Sequence, residues 1–132
     1  MYEQQERDPS VRRFRLSESF LDNYRDRQVP WGPLGYVTFK RTYSRRLEEH
    51  DPAAAGTEEW HQTCRRVIEG MFDIQKQHVA RLGLEWNDAK AQRTAKDAYD
   101  RLFTLKWSPP GRGLWMMGTK FVQERTGAGL FN

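Results

Sequence analysis

Cysteine is almost absent, with one residue, Cys64, in 132. A lone thiol closes no internal disulfide and builds no cysteine-based zinc site, so a disulfide scaffold and a zinc module are both excluded. A reducing, cytoplasmic setting is the expectation that follows. Long apolar runs are missing as well. No stretch approaches the roughly 18 consecutive apolar residues of a membrane helix. The opening MYEQQERDPSVRRFR has no apolar run behind its charges, so no secretory signal is expected. Histidine is scarce. His50, His61 and His78 lack metal-like spacing and read as surface residues, so no metal site is expected. Nor does one sign of charge dominate. Lys and Arg total 22 against 18 Asp and Glu, a net charge of +4.

Aromatic side chains, by contrast, are plentiful: five Trp, five Tyr and seven Phe. A disordered tail is poor in such residues, so a folded core is expected. The length suits one domain or one piece of a larger one. The basic residues lean to arginine, 16 against 6 lysines. Arginine forks suit phosphate and carboxylate alike. Local clusters occur at Arg12, Arg13 and Arg15, and again at Lys40, Arg41, Arg45 and Arg46. Acidic residues interleave them, whereas nucleic-acid binders concentrate positive charge on one face. A small basic helical nucleic-acid-binding module is therefore the alternative reading, and no nucleic-acid partner is expected under the preferred one.

Residues 1–15 are polar and read as a flexible arm. Ser17 can cap a short helix bearing Phe20, Leu21 and Tyr24. Pro30, Gly32 and Pro33 break the chain, and Tyr36, Phe39, Tyr43 and Leu47 then recur at helical spacing. Residues 48–56 read as a loop, with Thr57 as a helix cap and Glu58 and Glu59 solvated in the first turn. A long helix follows, with Trp60, Cys64, Val67, Ile68, Met71, Phe72 and Val79 on one apolar face. Gly70 weakens its middle and Gly83 punctuates its end. A second helix starts at Asp88, and its stripe of Ala91, Ala95, Ala98, Tyr99, Leu102 and Phe103 suggests a close helix–helix approach. The Ser108–Gly113 segment stops it. Leu114–Met117 reads as a short buried strand, Gly118 and Thr119 as the start of a short helix to about Arg125, and Leu130–Asn132 as the beginning of another strand.

No self-contained catalytic set emerges. Cys64 lies on the apolar face, where a thiol behaves as a small hydrophobe. The Pro109–Gly113 loop lacks the Lys-Ser/Thr pair of a phosphate-binding loop.

Four segments together nonetheless resemble one family. They are Trp31-Gly-Pro-Leu-Gly-Tyr-Val-Thr-Phe-Lys-Arg-Thr-Tyr-Ser-Arg45, Trp60 with Arg66-Val-Ile-Glu-Gly70, Gly111-Arg-Gly-Leu-Trp-Met-Met-Gly-Thr119, and Arg125-Thr-Gly127. In this order they resemble the N-terminus of monomeric, adenosylcobalamin-dependent (class II) ribonucleoside-triphosphate reductase, from about Leu16 to Asn132. The resemblance implies a mostly α chain. Residues 16–107 would form an N-terminal helical region, and 108–132 the first strand or strands of an incomplete ten-stranded α/β barrel. It implies an enzyme that makes deoxyribonucleotides from ribonucleoside triphosphates by thiyl-radical chemistry. That enzyme uses adenosylcobalamin as cofactor, a deoxynucleotide effector and thioredoxin as reductant.

In that family the segment ending at Asn132 leads into a strand carrying the first redox cysteine. Catalytic residues are therefore expected downstream of Asn132 and none within it. The chain is expected to be an inactive N-terminal fragment that binds no cofactor alone and whose partner is the remainder of the reductase. A gene interrupted by an intein or split in two is the expected cause. The substrate-binding residues implied by position are Arg112, Gly113, Trp115 and Asn132.

Overall fold

A computed structural model describes residues 7–119. The elements are five helices: α1 (Glu18–Asp22), α2 (Pro33–Thr42), α3 (Trp60–Arg81), α4 (Asp88–Phe103) and α5 (Gly111–Met116). A 3-10 turn at Leu47–Glu49 precedes α3. Among the described residues there is no strand, only an isolated bridge between Arg46 and Thr57.

The α3–α4 hairpin is the frame. Glu59 and Gln62 form a reciprocal capping box at the start of α3, satisfying two backbone N–H groups that the helix itself cannot. Thr57, expected as the cap, instead joins the bridge and receives the Lys40 ammonium at 3.0 Å. The helix runs unbroken through Gly70. Gly83, at φ +70°, ends the turn that follows. Asn87 caps α4 by accepting from the Lys90 N–H. The expected alanine stripe is buried at Ala91 and Ala95, so α4 lies close against α3. The Trp60 indole N–H donates to the Phe103 carbonyl at 3.0 Å, and the Tyr99 hydroxyl to the His61 carbonyl at 3.0 Å. These two bonds fix the register of an antiparallel pair.

Three aromatic groups seal the hairpin. Tyr24 meets Tyr99 and Phe103 edge-on, at 4.7 and 5.0 Å between centroids. Trp31 and Phe39 both meet Trp60, at 4.6 and 5.4 Å. Phe14 packs on Phe72 and Trp86. Edge-to-face geometry of this kind adds to the burial of large rings. Burial beside Asp100 pushes the Tyr24 hydroxyl up to about 12.

Three sequence expectations need correction. The flexible arm does not hold for residues 7–15, and residues 1–6 lie outside the described ones. Phe14 is only 1% exposed. Glu69, Asp73 and Gln77, one turn apart on α3, accept the backbone N–H groups of Leu16, Phe14 and Asp8 at 2.8, 3.0 and 3.0 Å. Arg7 adds a two-point bond to Asp73. An extended segment therefore has its donors satisfied without a sheet. Second, α4 ends at Phe103 rather than at Ser108. Leu105 takes φ 59°, and the reversal lets the Trp107 indole donate to the Ala98 carbonyl at 3.1 Å.

Third, Leu114–Met117 is not a strand. Residues 111–116 are helical and residues 117–119 form a turn and bend, so the expected strand is absent there, while the helix expected from Gly118 to about Arg125 lies mostly outside the described residues. A strand needs a pairing partner, and no described strand offers one. The Leu130–Asn132 strand lies outside the described residues. Ser17, at the N-cap position of α1, makes no side-chain cap and faces Ser19 instead.

His50 and His78 are exposed as expected, while His61 is half-buried. Burial lowers the pKa of both His50 and His61 below the ordinary histidine value. The unfolded chain thus binds more protons near pH 6.5, so this contribution to stability is present above that pH and is lost as pH falls through the depressed values. Urea unfolding at pH 7.5 and 6.0 should show lower stability at the lower pH, and a His50→Gln/His61→Gln double variant should flatten that difference. Phe14→Ala should cost about 3–5 kcal/mol in the same assay; a truly free arm would leave stability unchanged.

Candidate functional site: a buried arginine that holds helix α5

A six-residue helix containing two glycines does not stand alone in water. What holds α5 is Arg66. Its guanidinium donates to the Met117 carbonyl at 2.6 Å and the Leu114 carbonyl at 2.7 Å. Longer contacts reach Trp115 and Tyr43 carbonyls at 3.4 and 3.5 Å. The last carbonyls of a helix lack intrahelical partners, and a cation there also opposes the negative end of the helix dipole. Arg66 supplies both.

Glu58 holds Arg66 in turn. Its carboxylate accepts from the Arg66 Nε at 2.9 Å, and the two side chains are 2% and 3% exposed. It also accepts the Arg45 backbone N–H at 2.9 Å and the Thr63 hydroxyl at 3.1 Å. The Glu58 carbonyl takes the Ser44 hydroxyl at 2.7 Å and the Lys40 ammonium at 3.0 Å. One acidic residue thereby joins the end of α2, the start of α3 and the approach to α5. The solvated reading of Glu58 is corrected: its partner lies two turns along α3, beyond the reach of neighbour rules for surface carboxylates. Removing either member strands a buried charge, at about 3–5 kcal/mol.

The expected site residues fall differently around α5. Arg112 and Trp115 are on its exposed side, and Trp115 is 42% exposed. The Arg45 guanidinium lies 4.1 Å over the Trp115 ring, a cation–π contact, while its Nε donates to Glu49 at 2.9 Å. Gly113 is buried on the inner side, where an added Cβ would meet the Pro109 Cβ at 3.0 Å. Its bareness admits that proline. Asn132 lies outside the described residues. Gly118, at φ +78°, sits so close that an added Cβ would collide with the Arg66 carbonyl.

Beside this cluster runs a half-open cleft of about 650 Å³ whose walls include Arg13, Arg65, His50, Glu69 and Gly118. Its charges are largely matched. Arg65 bonds Glu18 at 2.6 Å and Glu69 at 3.2 Å, and Arg15 lies 3.5 Å from Glu69. Burial nevertheless raises the Glu69 pKa. The second basic cluster is likewise paired, with Lys40 on Glu59 and Arg46 on Glu48. A nucleic-acid-binding reading finds no support in clusters whose Arg15, Lys40, Arg45 and Arg46 are each paired with a carboxylate. Cys64 is fully buried and burial raises its thiol pKa well above the ordinary value, so it is not a reactive thiolate. Among the described residues no three His, Cys, Asp or Glu side chains group to hold a metal ion, and no helix is long and apolar enough to cross a membrane.

Comparison with known proteins follows the same stretch of chain. The family model described as "Ribonucleotide reductase alpha domain" matches residues 16–119. A Dictyostelium discoideum relative is 36% identical over 124 residues, covering 92% of this chain and 15% of its own length. The adenosylcobalamin-dependent ribonucleoside-triphosphate reductase of Euglena gracilis is 34% identical, covering 94% of this chain and 17% of that protein. That of Lactobacillus leichmannii is 36% identical over 89% of this chain and 15% of its own. A solved structure, a B12-dependent (class II) ribonucleotide reductase, superposes with a TM-score of 0.70 at 32% identity, covering 88% of this chain and 16% of that one. The chain thus spans about a sixth of the length of these proteins. It belongs to the ribonucleotide reductase family, within the alpha domain of that enzyme.

Proposed function

We propose that this chain serves as the N-terminal portion of an adenosylcobalamin-dependent ribonucleoside-triphosphate reductase, which converts ribonucleoside triphosphates to deoxyribonucleotides for DNA synthesis. The observation that carries this reading is the match over residues 16–119 together with the superposition on a class II enzyme. Its role is scaffold and pocket wall. The α3–α4 hairpin supplies a rigid base, and α5 presents Arg112 and Trp115 outward, with Gly113 beneath them, toward the triphosphate and base of a substrate. Asn132 would extend the same wall. The remaining parts of the reaction belong to the remainder of the reductase: the first barrel strands, the radical and redox cysteines, the deoxynucleotide effector site and the thioredoxin-facing tail.

Adenosylcobalamin supplies the radical chemistry in such an enzyme. The described residues do not offer it a cradle. The half-open cleft beside the Arg66–Glu58 pair is walled in part by side chains already in ion pairs, and the one thiol, Cys64, is sealed in the core.

Complementation tests the proposal. The purified chain is added to a Lactobacillus leichmannii reductase from which the matching N-terminal portion has been deleted. Deoxynucleotide formation with adenosylcobalamin and thioredoxin should appear only in the mixture. Turnover by the 132-residue chain alone, or no association and no activity in the mixture, would count against it.

A further inference from the structure

We infer that Arg66, anchored by Glu58, is a positioning residue: it sets the orientation of α5 and of the turn at Met117–Thr119 that follows it. This deepens the reading above and rests on it for its bearing on the reductase.

A clamp that only added stability would not need to take this form. Apolar side chains of similar volume stabilise a core as well as a buried ion pair or better. What the pair adds is geometry. The guanidinium is planar and its donors point in fixed directions, so the carbonyls it binds are fixed relative to one another. Arg66 uses that fork on four carbonyls from two separate segments: Tyr43 after α2, and Leu114, Trp115 and Met117 in and after α5. An ammonium at this place has no such fork. Glu58 keeps the fork from rotating, because its Oε1 and Oε2 both accept from the Nε, at 3.2 and 2.9 Å.

The backbone next to the clamp is constrained from the other side. Gly118 adopts a left-handed φ and lies against the Arg66 backbone, a fit open only to a residue without Cβ. Thr119 then turns back, its hydroxyl and N–H both bonding the Met116 carbonyl at 2.7 and 3.1 Å. The Arg45–Trp115 pair hangs on the same hub, since the Arg45 N–H is held by Glu58. The outward face of α5 is thus aimed by one buried pair, Arg66 on α3 and Glu58 just before it.

Amide hydrogen exchange of the chain, read by mass spectrometry, tests this. In an Arg66→Met/Glu58→Gln double variant, which leaves no stranded charge, residues 111–119 should exchange about tenfold faster or more while residues 91–103 of α4 keep their protection. Gly118→Ala should loosen the same segment alone. Arg66→Lys keeps the charge but not the fork and should not restore protection. Unchanged protection of 111–119, or equal loosening of 91–103, overturns the inference. Should the double variant unfold, Gly118→Ala is read by the same two segments and the same criterion. In the complementation assay, Arg66→Lys should lower kcat about tenfold or more with the amount of bound chain unchanged, as a misaligned wall would; unchanged kcat also overturns the inference. If the wild-type chain does not complement, the functional reading fails, and the exchange result still decides the role of Arg66.

Discussion

The buried pair of Arg66 and Glu58 is the constraint around which the rest of this chain is arranged. Two opposite charges removed from water are tolerated only when their remaining donors and acceptors find partners. Here the partners are not incidental neighbours. They are the carbonyls of α5, the backbone N–H of Arg45, the hydroxyl of Thr63 and, on the Glu58 carbonyl, Lys40 and Ser44. Satisfying one ion pair therefore brings together the end of α2, the start of α3 and a short helix that would not form by itself. The energetic requirement and the geometry of the site are the same fact.

The N-terminal arm shows the same economy of means with neutral donors. A ladder of Glu69, Asp73 and Gln77 meets three backbone N–H groups of an extended segment, and Phe14 anchors it between Phe72 and Trp86. In both places polar side chains of α3 do the work that a sheet edge or a longer helix would do elsewhere. The helix is thus two-faced in an unusual sense. Its apolar face meets α4, and buried polar groups elsewhere on it, Arg66, Glu69, Asp73 and Gln77, hold α5 and the N-terminal arm. Burial depresses the pKa of His50 and His61 and raises that of Glu69, so the stability of the arrangement depends on pH in opposite directions at the two kinds of group.

Much of this was legible in the residues. The apolar stripe from Trp60 to Phe72 and the alanine stripe of α4 have helical periods that identify both helices and the faces they bury. Pro33 at the first turn supports α2. The motifs around Trp31–Arg45 and Gly111–Thr119 indicated the family, and the comparisons agree. What could not be read was any feature whose cause lies far away in sequence. Glu58 looks like a first-turn surface carboxylate until Arg66 is folded beneath it. Leu114–Met117 looks like a strand because an apolar run of four carries no period of its own. Only the helix-end bonds from Arg66 settle it as a helix. The one available hint was the helical spacing of Glu69, Asp73 and Gln77, polar residues recurring beside an apolar face.

The linear order of residues determined on its own the two long helices, the aromatic core, the lack of a reactive thiol and membership in the reductase family, because each depends on periodicity, residue type or local motif. The tertiary structure alone decided that Glu58 is buried, that the arm is docked, that α4 turns back at Leu105 and that α5 is a helix facing outward with Trp115. Each of those depends on hydrogen bonds between groups tens of residues apart, whose strength comes from being withdrawn from water together, and no local preference encodes that withdrawal.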